Sequence, residues 1–188
     1  MGHNVGKPAP FLPPVAATER WLERAVIGLN LCPFAKAVHA RRQIRYAVSV
    51  ATTAGELRAD LQRELEFLAR ADAEAVDTTL LIHPHTLTEF AAYNRFLRDA
   101  DALVRDLGLE GVLQIASFHP DYEFADSPPG AIENYTNRSP YPMLHLLREA
   151  SIGRAVAAFP DASAIYDKNI QALRDLGYDG WQALWRDE

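Results

Sequence analysis

The sequence holds a single cysteine, Cys32, among 188 residues. An internal disulfide is therefore excluded, and nothing calls for an oxidising compartment. Cations are scarce as well: 19 Lys and Arg stand against 25 Asp and Glu, a net charge of −6. That balance has the wrong sign for gripping nucleic-acid phosphates. No apolar run approaches the roughly 18 residues that a bilayer span requires. The N-terminal stretch has no apolar core followed by a small-residue cleavage site, so it does not read as a secretory signal. Together these absences predict a cytoplasmic protein with neither nucleic acid nor membrane as partner.

What is present is ordinary globular material, 48% hydrophobic and 23% charged, at a length that favours one domain with its own core. Pro8, Pro10, Pro13 and Pro14 block helix and remove backbone donors. Residues 1–15 are therefore expected to form an extended arm, and residues 16–188 a single α/β domain. Beyond the arm, Trp21, Leu22, Ala25, Val26 and Leu29 recur on one helical face. Cys32-Pro33 then predicts a second short helix through Ala40, since proline suits a first turn. Ile44, Tyr46, Val48 and Val50 alternate as a strand, and Leu57, Leu61, Leu65 and Leu68 mark a helix. Thr78 to Ile82 reads as a buried strand. A helix is expected from Thr86, with Glu89 placed as in a capping box, and Val112 to Phe118 gives the third strand.

Residues 119–140 form a long polar loop, of a length usually tied to function. After it Pro142 is expected to open a helix through Met143, Leu144, Leu147 and Ala155. A last helix is expected from Ala162 to Leu176, capped by Gly177, with Trp181, Leu184 and Trp185 clamping the end to the body. Strands alternating with helices predict an α/β fold: a small, largely parallel sheet of three or four strands with βαβ crossovers and two C-terminal helices.

Two strands end alike, in Ile82-His83-Pro84 and Phe118-His119-Pro120. Ligands of parallel sheets bind outside the carboxyl ends of the strands. His83 and His85 leave one strand there, and His119 and Asp121 leave another. If the chain stays extended through Pro84, His83 and His85 share a side. Three imidazoles and a carboxylate would suit a divalent metal such as zinc or iron, or acid–base chemistry. The alternative is that the histidines cap strand ends by bonding loop carbonyls.

Cys32, as N-cap of a helix starting at Pro33, would have its thiolate favoured by the free N–H groups of that end, with Lys36 one turn on. The alternative is a small buried hydrophobe. In the segment Glu133–Pro142, the residues Asn134, Tyr135, Arg138 and Tyr141 would hold an anionic or planar substrate group, unless the turn bonds only to itself. On the helix expected next, His145, Arg148, Glu149 and Ile152 share a face, so a His145–Glu149 pair would orient a base. Arg41, Arg42 and Arg45, the one basic cluster, would hold either a local acidic helix or a substrate phosphate.

The strings Gly28-Leu-Asn-Leu-Cys-Pro-Phe-Ala-Lys36, Ser117-Phe-His-Pro-Asp-Tyr122 and Asn137-Arg-Ser-Pro-Tyr-Pro-Met-Leu-His-Leu-Leu-Arg-Glu149 resemble the hallmark segments of an uncharacterised bacterial domain-of-unknown-function family, DUF1415. The resemblance runs from about Trp21 to Leu176. It implies a bacterial, single-domain, cytoplasmic protein and supplies no activity, cofactor or catalytic residue.

Three functions follow as expectations. The first is an enzyme at the carboxyl rim, using His83, His85, His119 and Asp121 with a divalent metal for hydrolysis or oxidation of a small anionic substrate. The second is a thiol enzyme using Cys32. The third is a non-catalytic domain that binds a small molecule or a protein, favoured where the histidines are bonded to backbone.

Overall fold

The computed structural model describes residues 13–158 and 163–186. Four strands form one sheet in the order β1-β2-β4-β3, where β1 is Ile44–Val48, β2 Thr78–Ile82, β3 Leu113–Phe118 and β4 Met143–Arg148. β1 pairs with β2 in parallel, whereas β4 runs antiparallel to both β2 and β3. The α/β class and the two C-terminal helices are as expected. The sheet is mixed rather than largely parallel.

The cause is one segment. Residues 143–148, expected to be helical, form a strand at the centre of the sheet. A central strand buries both faces, so its sequence is apolar at nearly every position and loses the alternation that marks a strand. The helix expected there begins only at Glu149, as α5 (Glu149–Ala158).

β1 crosses to β2 through α3 (Ala54–Arg70), and β2 leads to β3 through α4 (Phe90–Asp106). Both helices lie on one face of the sheet. There Leu57, Leu61, Leu65 and Leu68, spaced to share a stripe, meet Tyr93, Phe96, Ala100 and Leu103 over Leu81, Leu144 and Leu146. A capping box of Thr53 and Glu56 starts α3 and satisfies two otherwise free donors. By contrast, the box expected of Thr86 and Glu89 does not form: α4 starts at Phe90, and the Thr86 hydroxyl instead donates to the Ala51 carbonyl.

The other face is covered by α1 (Pro14–Trp21), its π-helical continuation Leu22–Ile27, and α6 (Ser163–Ala183). Pro14 is the first residue of α1, where the missing N–H costs nothing. Helix therefore begins inside the arm expected over residues 1–15, of which 1–12 lie outside the described residues. The helix start expected at Ala162 also falls outside them. Gly28 follows the π-helical turn, and a Cβ there would run into the Arg24 carbonyl, so only glycine fits that turn unchanged. Gly177, at φ 66°, leaves the helical conformation where the end of the helix is expected, and a second helical stretch follows directly within α6. The expected clamp is present: Trp181 is buried with its ring edge-on to Tyr135 and Trp185. Arg20 and Arg24 of the first helical segment donate to the carbonyls of Trp185, Leu184 and Arg186.

Candidate functional site

β2 and β3 point the same way, so their carboxyl ends share one rim, with the start of β4 between them. Ile82 and Phe118 both lie opposite Met143. His83 and His119 meet there as expected. Both are 0% exposed, and they flank Tyr93, whose ring centroid lies 5.8 Å from His83 and 5.1 Å from His119. The Tyr93 hydroxyl accepts from the Phe118 amide at 3.0 Å and donates to the Met143 carbonyl at 2.8 Å, stitching the rim ends of β3 and β4.

Backbone groups fix both imidazoles. His83 Nδ1 donates to the Thr86 carbonyl at 2.8 Å, so its Nε2 carries a lone pair; that atom is buried and has no partner among the described residues. His119 Nε2 donates to the Leu87 carbonyl at 3.1 Å, and its Nδ1 accepts the Asp121 amide at 3.0 Å. Leu87, whose carbonyl reaches His119, has φ 54°, a left-handed conformation that a leucine keeps only when its surroundings impose it. Burial pushes the His83 pKa down to about 4, against the Thr86 carbonyl that favours the proton. Burial also lowers His119, opposed by the Leu87 carbonyl and the Asp121 carboxylate. Both rings are neutral.

The expected metal set is not gathered around one point. The chain turns at Pro84 and His85, so it does not stay extended, and His85 is exposed while His83 is buried. His119 has neither nitrogen to spare. Among the described residues no group of three or more His, Cys, Asp or Glu side chains is placed to hold a metal ion.

The other expected residues are also bound into the fold. Asn134 is buried and accepts the Phe124 amide at 3.0 Å. Arg138 donates to the Tyr122 carbonyl at 3.1 Å and lies over the Tyr135 ring at 4.4 Å. Tyr135 is buried against α6, and Tyr141 packs with the core on that side. The segment is thus tied to the preceding loop and to α6.

His145 and Glu149 do not share a helix face, because His145 lies on β4 and Glu149 opens α5. His145 Nε2 donates at 2.8 Å to the Thr78 hydroxyl, and burial lowers its pKa to about 4. Cys32 is not an N-cap: α2 (Ala35–Ala40) starts after Phe34, and Cys32 packs half-buried with the second core. Lys36 is exposed.

An open concavity lies elsewhere, beside the edge strand β1. A cleft of about 520 Å³ is lined by Glu19, His39, Ala40, Arg42, Ile44 and Tyr46, a volume within the usual range for small-molecule sites. Glu19 comes from α1, His39 and Ala40 from α2, and Ile44 and Tyr46 from the same face of β1. Glu23, on the π-helical turn, holds His39 Nε2 at 3.3 Å.

The Tyr46 hydroxyl is buried and has no partner among the described residues. Burial first, then the charges of Glu19 and Glu23, push its pKa up to about 12, so it remains a protonated donor. Of the three arginines expected to act together, Arg45 forks onto Glu64 of α3 at 2.7 and 3.0 Å, as a local acidic helix would hold it. Arg42 instead faces the cleft. Sequence reasoning missed Glu19, Glu23, His39 and Tyr46; the only trace was the spacing of four between the glutamates, which is common on solvated helices.

A family model described as "Protein of unknown function (DUF1415)" matches residues 14–183. No curated protein and no solved structure matches the chain.

Proposed function

The chain belongs to the DUF1415 family of unknown function, and we propose that it binds a small polar molecule in the cleft between α1, α2 and β1. One observation carries this reading: Tyr46, whose hydroxyl is buried and has no partner among the described residues, lines a concavity of ligand size. A buried donor left unmade costs free energy comparable to a lost hydrogen bond, and a ligand acceptor would recover it. The rim histidines support the same choice, because backbone carbonyls and an amide occupy three of their four ring nitrogens.

The test is a panel of free amino acids, dicarboxylates, sugar phosphates and polyamines, read by amide shifts. A binder is expected to perturb residues 19–23 and 39–46, and Tyr46→Phe should weaken it about threefold to tenfold, the effect of one hydrogen bond. Perturbation centred on residues 83–90 and 119–126, equal binding by Tyr46→Phe, or no binder at millimolar concentration each overturns the reading.

A second reading keeps the metal-dependent enzyme. It is favoured by His83 alone, whose free Nε2 and carbonyl-bound Nδ1 match the arrangement of a metal-ligating imidazole. Mass-spectrometric metal analysis of untagged protein tests it. Stoichiometric zinc or iron that is lost in His83→Phe would support it, and metal-free protein would end it.

A further inference from the structure

Resting on the cleft reading above, we propose that the ligand is a zwitterion of amino-acid or dipeptide size, its ammonium against Glu19 and its carboxylate against Arg42. Two side chains of opposite charge, Glu19 and Arg42, line the cleft. Glu19 and Arg42 make no ion pair among the described residues, whereas Glu23 is engaged by His39. A ligand of one charge would satisfy one wall and leave the other; a molecule with both charges answers both. His39, held by Glu23, borders the same space.

The backbone at Arg42 is the independent observation. Its φ is 58°, and it follows α2 at the place where a helix is normally closed by glycine. The closing bonds are present: the Arg42 amide donates to His39 at 3.0 Å and the Gln43 amide to Val38 at 3.1 Å. An arginine enters this left-handed conformation at a cost that glycine avoids. Its side chain makes no bond within the described fold that would offset the cost, yet it lines the cleft. A residue that opposes stability without a structural return is what a ligand contact would maintain.

The experiment is calorimetric titration of the full chain with L-amino acids and dipeptides, and with their N-acetyl and amide derivatives, which lack one charge each. The zwitterions are expected to bind and each derivative to bind at least tenfold more weakly. Arg42→Gly is expected to melt no lower than the parent and to lose at least tenfold in affinity; Glu19→Gln should lose a similar factor. If molecules of a single charge bind instead, with Tyr46→Phe still weakening them, the zwitterion assignment is overturned while the cleft reading stands. If the zwitterions bind but Arg42→Gly and Tyr46→Phe bind them equally well, both fall. A lower melting temperature for Arg42→Gly would show that the arginine serves the fold and would overturn the assignment of its role.

Discussion

His83 is neutral in the fold because burial outweighs the Thr86 carbonyl, and its pKa of about 4 stands below the ordinary 6.5. The unfolded chain takes up its proton first as pH falls. This contribution to stability is therefore whole above pH 6.5 and is lost between 6.5 and about 4. Over that window the loss amounts to roughly 3 kcal/mol. His119 and His145, also depressed by burial, add to the slope. Denaturant unfolding followed across pH should show a steep fall below 6.5, and His83→Phe should make it shallower by about one proton. At this scale the sequence was informative in part. That His83 and His119 meet was legible from two strand endings pointing one way. That they would be sealed by carbonyls stood only as the alternative, because it depends on Leu87 adopting a left-handed conformation that nothing in Thr86-Leu87-Thr88 announces.

Single elements explain why one strand escaped detection. Met143 to Leu147 pairs on both sides, so the side chains of Leu144 and Leu146 meet one core and those of Met143 and His145 face the other. Such a run carries both periods at once. α3, by contrast, was readable from its four leucines. Its far end is completed across the fold: the Arg148 guanidinium, from the last residue of β4, donates to the carbonyls of Leu68, Ala71 and Val76. The first two are among the acceptors that a helix end leaves open. Arg148→Met should keep the aliphatic packing and strand those carbonyls, lowering stability by about 2–4 kcal/mol. Denaturant midpoints would measure the loss, and cleft binding should stay unchanged. A surface arginine would shift the midpoint hardly at all.

Across the whole molecule, the alternation of helices and strands disclosed the α/β class, the β1–α3–β2 crossover and the shared direction of β2 and β3. It could not disclose that a later segment slides between them, because long-range pairing leaves no local mark. The two sides of the sheet are also built differently. α3 and α4 arise from the crossovers, whereas α6 is fastened from the end of the chain by Trp181, the ring pair with Tyr135, and Arg20 and Arg24 of the first helical segment. Trp181→Ala should therefore cost about 3–5 kcal/mol and release α6 with the 132–136 turn ahead of the sheet. Hydrogen exchange read by mass spectrometry should show early exchange confined to those segments; uniform loss of protection would mean that the molecule opens as one unit.

Among the described residues β3 finds its only sheet neighbour in β4, and β4 is made last of the four. During synthesis the ribosome thus releases three ribbons whose middle is still inside the tunnel. Until residue 148 emerges, β2 lacks its second neighbour and β3 has none, leaving bare flanks for a nascent-chain chaperone to shield.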